Sequence, residues 1–548
     1  MSTPTIARAA DIAGVAHHLG LPPAAVLPYG LDKAKIDLGR VGPRPARGRL
    51  VLVSGMTPTA AGEGKTTTAI GLADGLTRRG QRAVVALREP SLGPCFGQKG
   101  GGTGFGRARL VPTADINLHF TGDFHAVTSA HNLLAALIDN HLHHGRKPAL
   151  DPAHVTWRRV LDVNDRALRS IELGRGKVNG PVRDSGFDIT AASEVMAILA
   201  LASDRDDLRA RLGRIVVGRA HDGEPVTAGQ LGGLGAMMAL LRDALHPNLV
   251  QTVEGTPALI HAGPFANIAH GASSVVGTRL GLALADWTVT ECGFGFDLGG
   301  EKFFDIVGPA SGLAPAVVVV VATTKALKLH GGHAADRLHE LDPDAVAAGL
   351  PNLARHLENV ALFGRPAVVA LNQFPGDHAG EHAVVREFCV ARGIPFAVQD
   401  AAAGGGEAAL ELADRVMEVA LPAPTPAVPL YAPDEPLAGK IEAIARRVYR
   451  ARRVIFTAAA NLALANLERD GFGRLAVCMA KTQSSFTDDP HRLNAPTDFD
   501  LTVRDLELAA GAGFVVALTG TMMRMPGLPR APRAFDIDLV GDDIVGVG

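Results

Sequence analysis

Short apolar runs alternate along this chain with longer segments whose apolar residues return every three or four positions. Arg49–Ser54 (RLVLVS) is short, apolar and β-branched and predicts a strand. A Gly/Thr/Pro loop follows, and then Thr66–Arg79 carries apolar residues at helical spacing, with Gly80 placed to stop the helix. Arg82–Leu87 predicts a second strand. Strand, loop, helix and strand make a βαβ unit, which implies a parallel sheet with helices packed on it. Ile215–Val217, Ala258–His261, Thr288–Thr290, Ala316–Val321, Ala367–Leu371 and Phe514–Leu518 predict further buried strands, mostly separated by helical segments. The fold class is therefore α/β. The Pro-rich stretch Leu421–Pro436 is the best linker. A softer boundary lies near Gly331–Asp344, and the helix Leu353–Leu362 opens a second α/β unit.

The chain's 548 residues suffice for more than one compact core. A hydrophobic fraction of 47% and a charged fraction of 20% are an ordinary globular balance. The net charge of −2 gives no reason to expect nucleic acid as a partner. Cys95, Cys292, Cys389 and Cys478 form no CxxC pair and no zinc spacing, which fits a reducing cytosol. Met1–Asp11 does not read as a signal peptide. The longest apolar run, near Ala316–Ala322, is far short of the ~20 residues a spanning helix needs, so no membrane is expected.

The loop after the first strand reads Thr59-Ala60-Ala61-Gly62-Glu63-Gly64-Lys65-Thr66. A loop between a buried strand and a helix can turn its N–H groups toward an anion, and the helix dipole adds to the attraction. Lys65 can reach the β- and γ-phosphates of a nucleotide, and the Thr66 hydroxyl can bind Mg²⁺. Thr59 stands where the usual GxxxxGK[ST] pattern has its first glycine, while the GxGKT core and its context hold.

Arg88-Glu89-Pro90-Ser91-Leu92-Gly93-Pro94 follows the second strand, at the carboxyl rim where ligands of such sheets sit. The Arg88 guanidinium could hold a small carboxylate and then a phosphoryl oxygen, or pair structurally with Glu89. A glycine-rich loop, Gly97–Gly104, comes next. Asp123 then either caps the helix that follows or holds an amine or a metal-bound water. His125 either shuttles protons or is simply hydrogen-bonded. Gly263–Gly271 and Thr290–Asp297, the latter with Gly293 and Phe294, fall on the same rim, where glycine turns with an aromatic could wrap a nucleobase.

Together these segments resemble the formate–tetrahydrofolate ligase family. The matching words are PTAAGEGKTTTAIGLADGL, REPSLGPCFGQKGG, DINLHFTGDFHAV, GPFANIAHG, GEKFFDI, ALKLHGG, KTQSSFTDDP, RDLELAAGAGFVVALTG and MPGLP, and they run along nearly the whole chain. The resemblance implies that ATP phosphorylates formate and that the N10 amine of tetrahydrofolate attacks the formyl phosphate. It implies Lys65 and Thr66 with Mg²⁺ on the phosphates, Arg88 on formate and the mixed anhydride, Asp123 by the amine, and Phe374-Pro375 as one wall of the pterin site. It also implies a cytoplasmic homotetramer activated by K⁺ or NH₄⁺. The implied layout is a P-loop NTPase-like ATP/formate domain over 1–350, with the 95–135 segment free to pack with a later domain. A folate-binding α/β domain over 351–430 and a C-terminal α/β domain over 431–548 complete it around a cleft. Alternatives that keep the same loop are another amine acceptor, or a nucleotide switch without transfer.

Four positions depart from the family pattern. Ala402 stands where a tryptophan normally precedes the GGE turn and stacks on the pterin. His378 replaces Thr, Ser484 replaces Tyr, and Phe105-Gly106-Arg107 replaces a tyrosine-bearing run. The ATP half is thus expected to be intact and the folate half altered.

Overall fold

The computed structural model describes residues 11–60, 62–97, 102–422, 425–520 and 522–547. Seven parallel strands form the centre: β1 (Arg49–Gly55), β2 (Ala83–Leu87), β3 (Pro257–Ile260), β4 (Trp287–Glu291), β5 (Val317–Ala322), β6 (Ala367–Asn372) and β7 (Phe396–Gln399). Their spatial order is β3-β2-β4-β1-β5-β6-β7 within a 12-stranded sheet, which is extended beyond β3 by antiparallel strands such as Asn248–Thr252. The sheet thus crosses residue 350 without a break, because β6 pairs with β5.

The strands are mostly buried apolar runs, most purely so in Val317–Ala322, because both faces are covered, as parallel sheets require. Val51 and Val53 pack with Val317, Val319 and Val321 on one face. Leu50 and Leu52 pack with Val318 and Val320 on the other. Helix α1 (Lys65–Arg78) lies on the first face through Ala69, Ile70, Leu72, Ala73 and Leu76. Each of the Ile and Leu side chains contributes roughly 1.5–3 kcal/mol by leaving water, and each Ala methyl about 0.8 kcal/mol.

Two expected strands lie outside this sheet. Val216–Ala220 pairs antiparallel with Leu150–Val155 and Pro225–Thr227 in a three-stranded sheet of its own. Phe514–Leu518 pairs with Ala476–Ala480 and Asp505–Ala509 in another. A buried apolar run reveals burial, not which sheet accepts its hydrogen bonds. Among its described residues the Pro-rich stretch takes no helix or strand, yet it is anchored. Leu430 and Tyr431 are buried, and Leu430 N donates to Asp305 Oδ1 at 2.8 Å.

The strand order places the phosphate loop. β1 lies between β4 and β5, so the loop leaving β1 is flanked by the carboxyl ends of both, Glu291 on one side and Thr323 on the other.

Candidate active site

The loop from Met56 to Gly64 carries two glycines in the left-handed region, Gly62 (φ 81°) and Gly64 (φ 74°). A Cβ on Gly64 would come within 2.3 Å of Asn372 Nδ2, so the position is closed to larger residues. Thr59 fills the first-glycine position by using its polar atoms. Its N and Oγ1 both donate to Glu63 Oε1, at 2.7 and 3.0 Å. Glu63 is 1% exposed, and its other oxygen accepts from Thr323 Oγ1. The acid in an anion loop is thus turned inward and neutralised by donors. Ala60 is exposed, whereas Thr59, Gly62, Gly64, Lys65 and Thr66 are half-buried along the loop. Ala61 lies outside the described residues, as does Gln98–Gly101 of the glycine-rich segment.

Lys65 opens α1, and its aliphatic stem lies over Gly55, where an added Cβ would meet Cδ at 3.5 Å. Burial lowers its pKa from the ordinary lysine value, with Glu291 the largest opposing influence. Thr66 Oγ1 donates to Glu291 Oε2 at 2.9 Å. The remaining oxygen of Glu291 lies 3.7 Å from Arg88 Nη2. Arg88 Nη1 donates to Pro264 O at 3.2 Å, while its Nε is buried without a hydrogen-bond partner. Gly293 leaves room for the guanidinium, since a Cβ there would stand 3.3 Å from Nη1. Phe294 follows at φ 61°, half-buried on the same rim.

Glu291 is a candidate site residue, placed by its contacts with Thr66 and Arg88, that motif reading missed. The available signal was an acid ending a fully buried apolar strand. Thr66 and Glu291 supply oxygen donors suited to Mg²⁺, which takes one or two carboxylates and completes its shell with water and phosphates. Among the described residues no three His, Cys, Asp or Glu converge on a metal site. A hard cation held partly by substrate fits that arrangement.

The segment after β3 adds a second polar wall. His270 is fully buried with both ring nitrogens unpartnered, and Asn267 Oδ1 is unpartnered as well. Burial, then Arg88 and Lys302, push the His270 imidazole down to about 3, so it is neutral.

Arg88 and Glu89 do not pair with each other; Glu89 turns to Asp123. Asp123 is the first residue of helix α2 (Asp123–His143), whose N-cap is Gly122 without a side-chain cap bond. The carboxylate is therefore not a cap. It accepts from Lys35 Nζ, 2.7 Å from one oxygen and 2.9 Å from the other, and from Asn248 Nδ2 at 2.8 Å. Burial and the neighbouring Asp123 charge raise the Glu89 pKa well above the usual carboxylate range. The buried cluster thus sets Glu89, which keeps its proton to higher pH than a free carboxyl, beside the Lys35–Asp123 ion pair. Lys35 and Glu89 were missed by sequence reading, because their common partner lies 88 residues from Lys35. His125 is exposed on the first turn of α2.

Phe374 and Pro375 follow the end of β6, where Asn372 pairs in register with Gln399 of β7. The Phe374 ring is half-buried and lies 4.8 Å from Lys325 Nζ, while Pro375 is exposed. Ala402 sits three residues past β7, on the neighbouring rim position. Its carbonyl accepts from Arg107 N at 2.8 Å, and a Cβ on Gly106 would stand 2.0 Å from that oxygen. The tryptophans do not replace it. Trp287 is fully buried at the opposite end of β4, and Trp157 is buried and stacked on His131 at 4.1 Å.

Comparison with known proteins agrees with the resemblance. The family model described as formate–tetrahydrofolate ligase matches residues 2–548. A formate–tetrahydrofolate ligase of Myxococcus xanthus (strain DK1622) is 56% identical over 533 residues, covering 96% of this chain and 97% of the relative. One of Maricaulis maris (strain MCS10) is 53% identical over 541 residues, covering 97% of each.

Proposed function

The chain belongs to the formate–tetrahydrofolate ligase family, and we propose from its site how it couples ATP to the joining of formate and tetrahydrofolate. The products are 10-formyltetrahydrofolate, ADP and phosphate. Formate alone is a poor acyl donor, because oxide or hydroxide would have to leave. Formyl phosphate loses phosphate instead. In the first step a formate oxygen attacks the γ-phosphorus and ADP leaves. In the second, N10 attacks the formyl carbon, phosphate leaves, and the amine gives up its proton.

The observation that carries this reading is the meeting of Lys65, Thr66, Glu291 and Arg88 at one rim. Lys65 and the backbone of Thr59, Ala60, Ala61, Gly62, Glu63 and Gly64 would grip the phosphates, as in a P-loop NTPase-like body. Thr66 and Glu291 would hold Mg²⁺, which neutralises charge on the phosphates when bound. Arg88, with an unpartnered Nε, would take formate and then the mixed anhydride. Positioning and charge neutralisation would supply most of the rate. Asp123 is assigned to the proton lost from N10, and exposed His125 to its exchange with solvent. Gly293 and Phe294 would border the nucleotide, and Phe374 and Pro375 the pterin. The proposed organisation is an ATP/formate domain (1–350), a folate-binding unit (351–430) and a C-terminal unit (431–548). A cytoplasmic homotetramer activated by K⁺ or NH₄⁺ completes the proposal.

The test is ADP release measured with formate and tetrahydrofolate added singly and together. Turnover only with both, with a 10-formyl product, is expected. Hydrolysis indifferent to formate would sink the reading in favour of a nucleotide switch. Ala402 favours one second reading, in which the same acyl-phosphate chemistry serves a modified pterin or another amine. Formate-dependent turnover that ignores tetrahydrofolate would select it.

A further inference from the structure

Two hydrogen-bond routes, the first buried and the second buried as far as Thr324, join the phosphate loop to the proposed pterin wall, and both pass through Glu63. The first starts at the Glu63 carbonyl, which accepts from Asn372 Nδ2 at 3.0 Å. Asn372 Oδ1 accepts from Gln399 Nε2 at 2.9 Å. The same Gln399 nitrogen donates to Thr68 Oγ1 of α1 at 2.9 Å, and Gln399 Oε1 accepts from Ala401 N at 2.9 Å. Asn372 and Gln399 end β6 and β7, two residues before Phe374 and three before Ala402.

The second route starts at the Glu63 carboxylate, which accepts from Thr323 Oγ1. The next residue, Thr324, donates its hydroxyl to Asp377 Oδ1 at 2.9 Å. Asp377 Oδ2 accepts from Phe374 N at 2.9 Å. Thr323, Thr324, Asn372 and Gln399 are all buried. Gly64 packs directly against the Asn372 amide, so that amide cannot yield without the loop moving.

We propose that Asn372, Gln399 and the Thr324–Asp377 pair are positioning residues that couple nucleotide binding to pterin binding. The proposal rests on the functional reading above. A phosphate drawn into the loop fixes Glu63. Fixed, Glu63 presents one carbonyl and one carboxylate oxygen to groups whose other ends hold the Phe374 turn and the segment at Ala401. Breaking one of these bonds leaves a buried polar atom unsatisfied, so the alternative arrangements are discrete rather than continuous. Binding ATP first would thereby order the acceptor wall before the short-lived acyl phosphate forms.

The experiment is calorimetric titration of tetrahydrofolate into the full chain, with and without a non-hydrolysable ATP analogue and Mg²⁺. In the unmodified protein the analogue is expected to tighten tetrahydrofolate by about 5-fold or more, the usual lower range of coupling between sites. The converse titration must give the same factor, because the coupling is reciprocal. Thr324→Val and Gln399→Met, close in size but lacking the donor, are expected to bring the factor toward one, and Thr324→Ser to restore it. A purely structural role would weaken both affinities and leave their ratio. A factor of one in the unmodified protein, or an unchanged factor in both variants, overturns the proposal. If the unmodified protein forms no 10-formyl product, the functional reading has failed. If it forms product but shows no coupling, only this inference has failed.

Discussion

Thr66 and Glu291, 225 positions apart in the chain, meet at 2.9 Å where the ends of β1 and β4 stand side by side. The hydroxyl donates to the carboxylate, and the other carboxylate oxygen faces Arg88 at 3.7 Å. A cation bound between them would take both oxygens and release the hydroxyl's hydrogen to point elsewhere. Glu291→Gln keeps the shape and removes the charge. It is expected to raise the Mg²⁺ concentration for half-maximal activity by about 10-fold, the lower part of the usual effect of losing a residue that supports a metal site. The measurement is initial rate against Mg²⁺ at saturating substrates. An unchanged Mg²⁺ curve would remove Glu291 from the cation site.

Lys65 is expected to matter to the chemical step more than to folding. Its ammonium is kept beside the phosphate loop at an energetic cost, because burial disfavours its charge while Glu291 supports it. Such a cation is worth keeping only where negative charge develops. Lys65→Ala should lower kcat by about 100- to 1000-fold, the range for losing one preorganised charge stabiliser. The melting temperature should stay near that of the unmodified chain or rise slightly. Steady-state kinetics and a melt on the same preparation separate the two effects.

The strand, the glycine loop and the helix around Thr59–Thr66 were legible because their parts are local. Strand, glycines, Lys65 and Thr66 lie within eighteen residues of one another, and periodicity alone orders them. Glu291, Lys35 and Glu89 were not, because each acquires meaning only from a partner brought by strand order or by a distant segment. The sheet to which Ile215–Val217 belongs was hidden for the same reason. The segment's apolar run is buried, but its neighbours in the small antiparallel sheet come from residues 150–155 and 225–227. At Asp123 the distant partners instead decide between two readings. Its position at a helix start suggested a cap, yet the distant Lys35 and Asn248 claim its oxygens.

Glu89 gives a pH dependence whose sign is fixed by the direction of its shift. Unfolded, it titrates near the ordinary value of 4.5, whereas in the fold burial and Asp123 hold its proton to higher pH. The native state therefore binds more protons than the unfolded chain above that value, so this group's contribution to stability falls as pH rises. Glu89→Gln keeps a neutral side chain at every pH. The variant and the unmodified protein should melt nearly alike at about pH 5, with the variant gaining progressively toward about pH 8. Parallel melting curves across that range would mean that Glu89 is ionised in the fold.

The proposed acceptor pocket offers the last test, because the wall assigned to Ala402 is short. Phe374 stands on one rim position, and Ala402 on the next offers a methyl group. The backbone around Ala402 is already fixed by Arg107 N and by the close approach of Gly106, so a larger side chain would not need a new main-chain path. Ala402 is half-buried, which leaves an outlet for an indole. An aromatic face stacked on a ring contributes ~1–3 kcal/mol, about one to two decades of affinity. Ala402→Trp should therefore lower the KM for tetrahydrofolate by about 10-fold, with the KM for ATP changed far less. If the KM for tetrahydrofolate does not move, the pocket closes over the pterin by other means. The second reading, a different amine acceptor, then becomes the one to pursue by screening amines in the formate-dependent ADP assay.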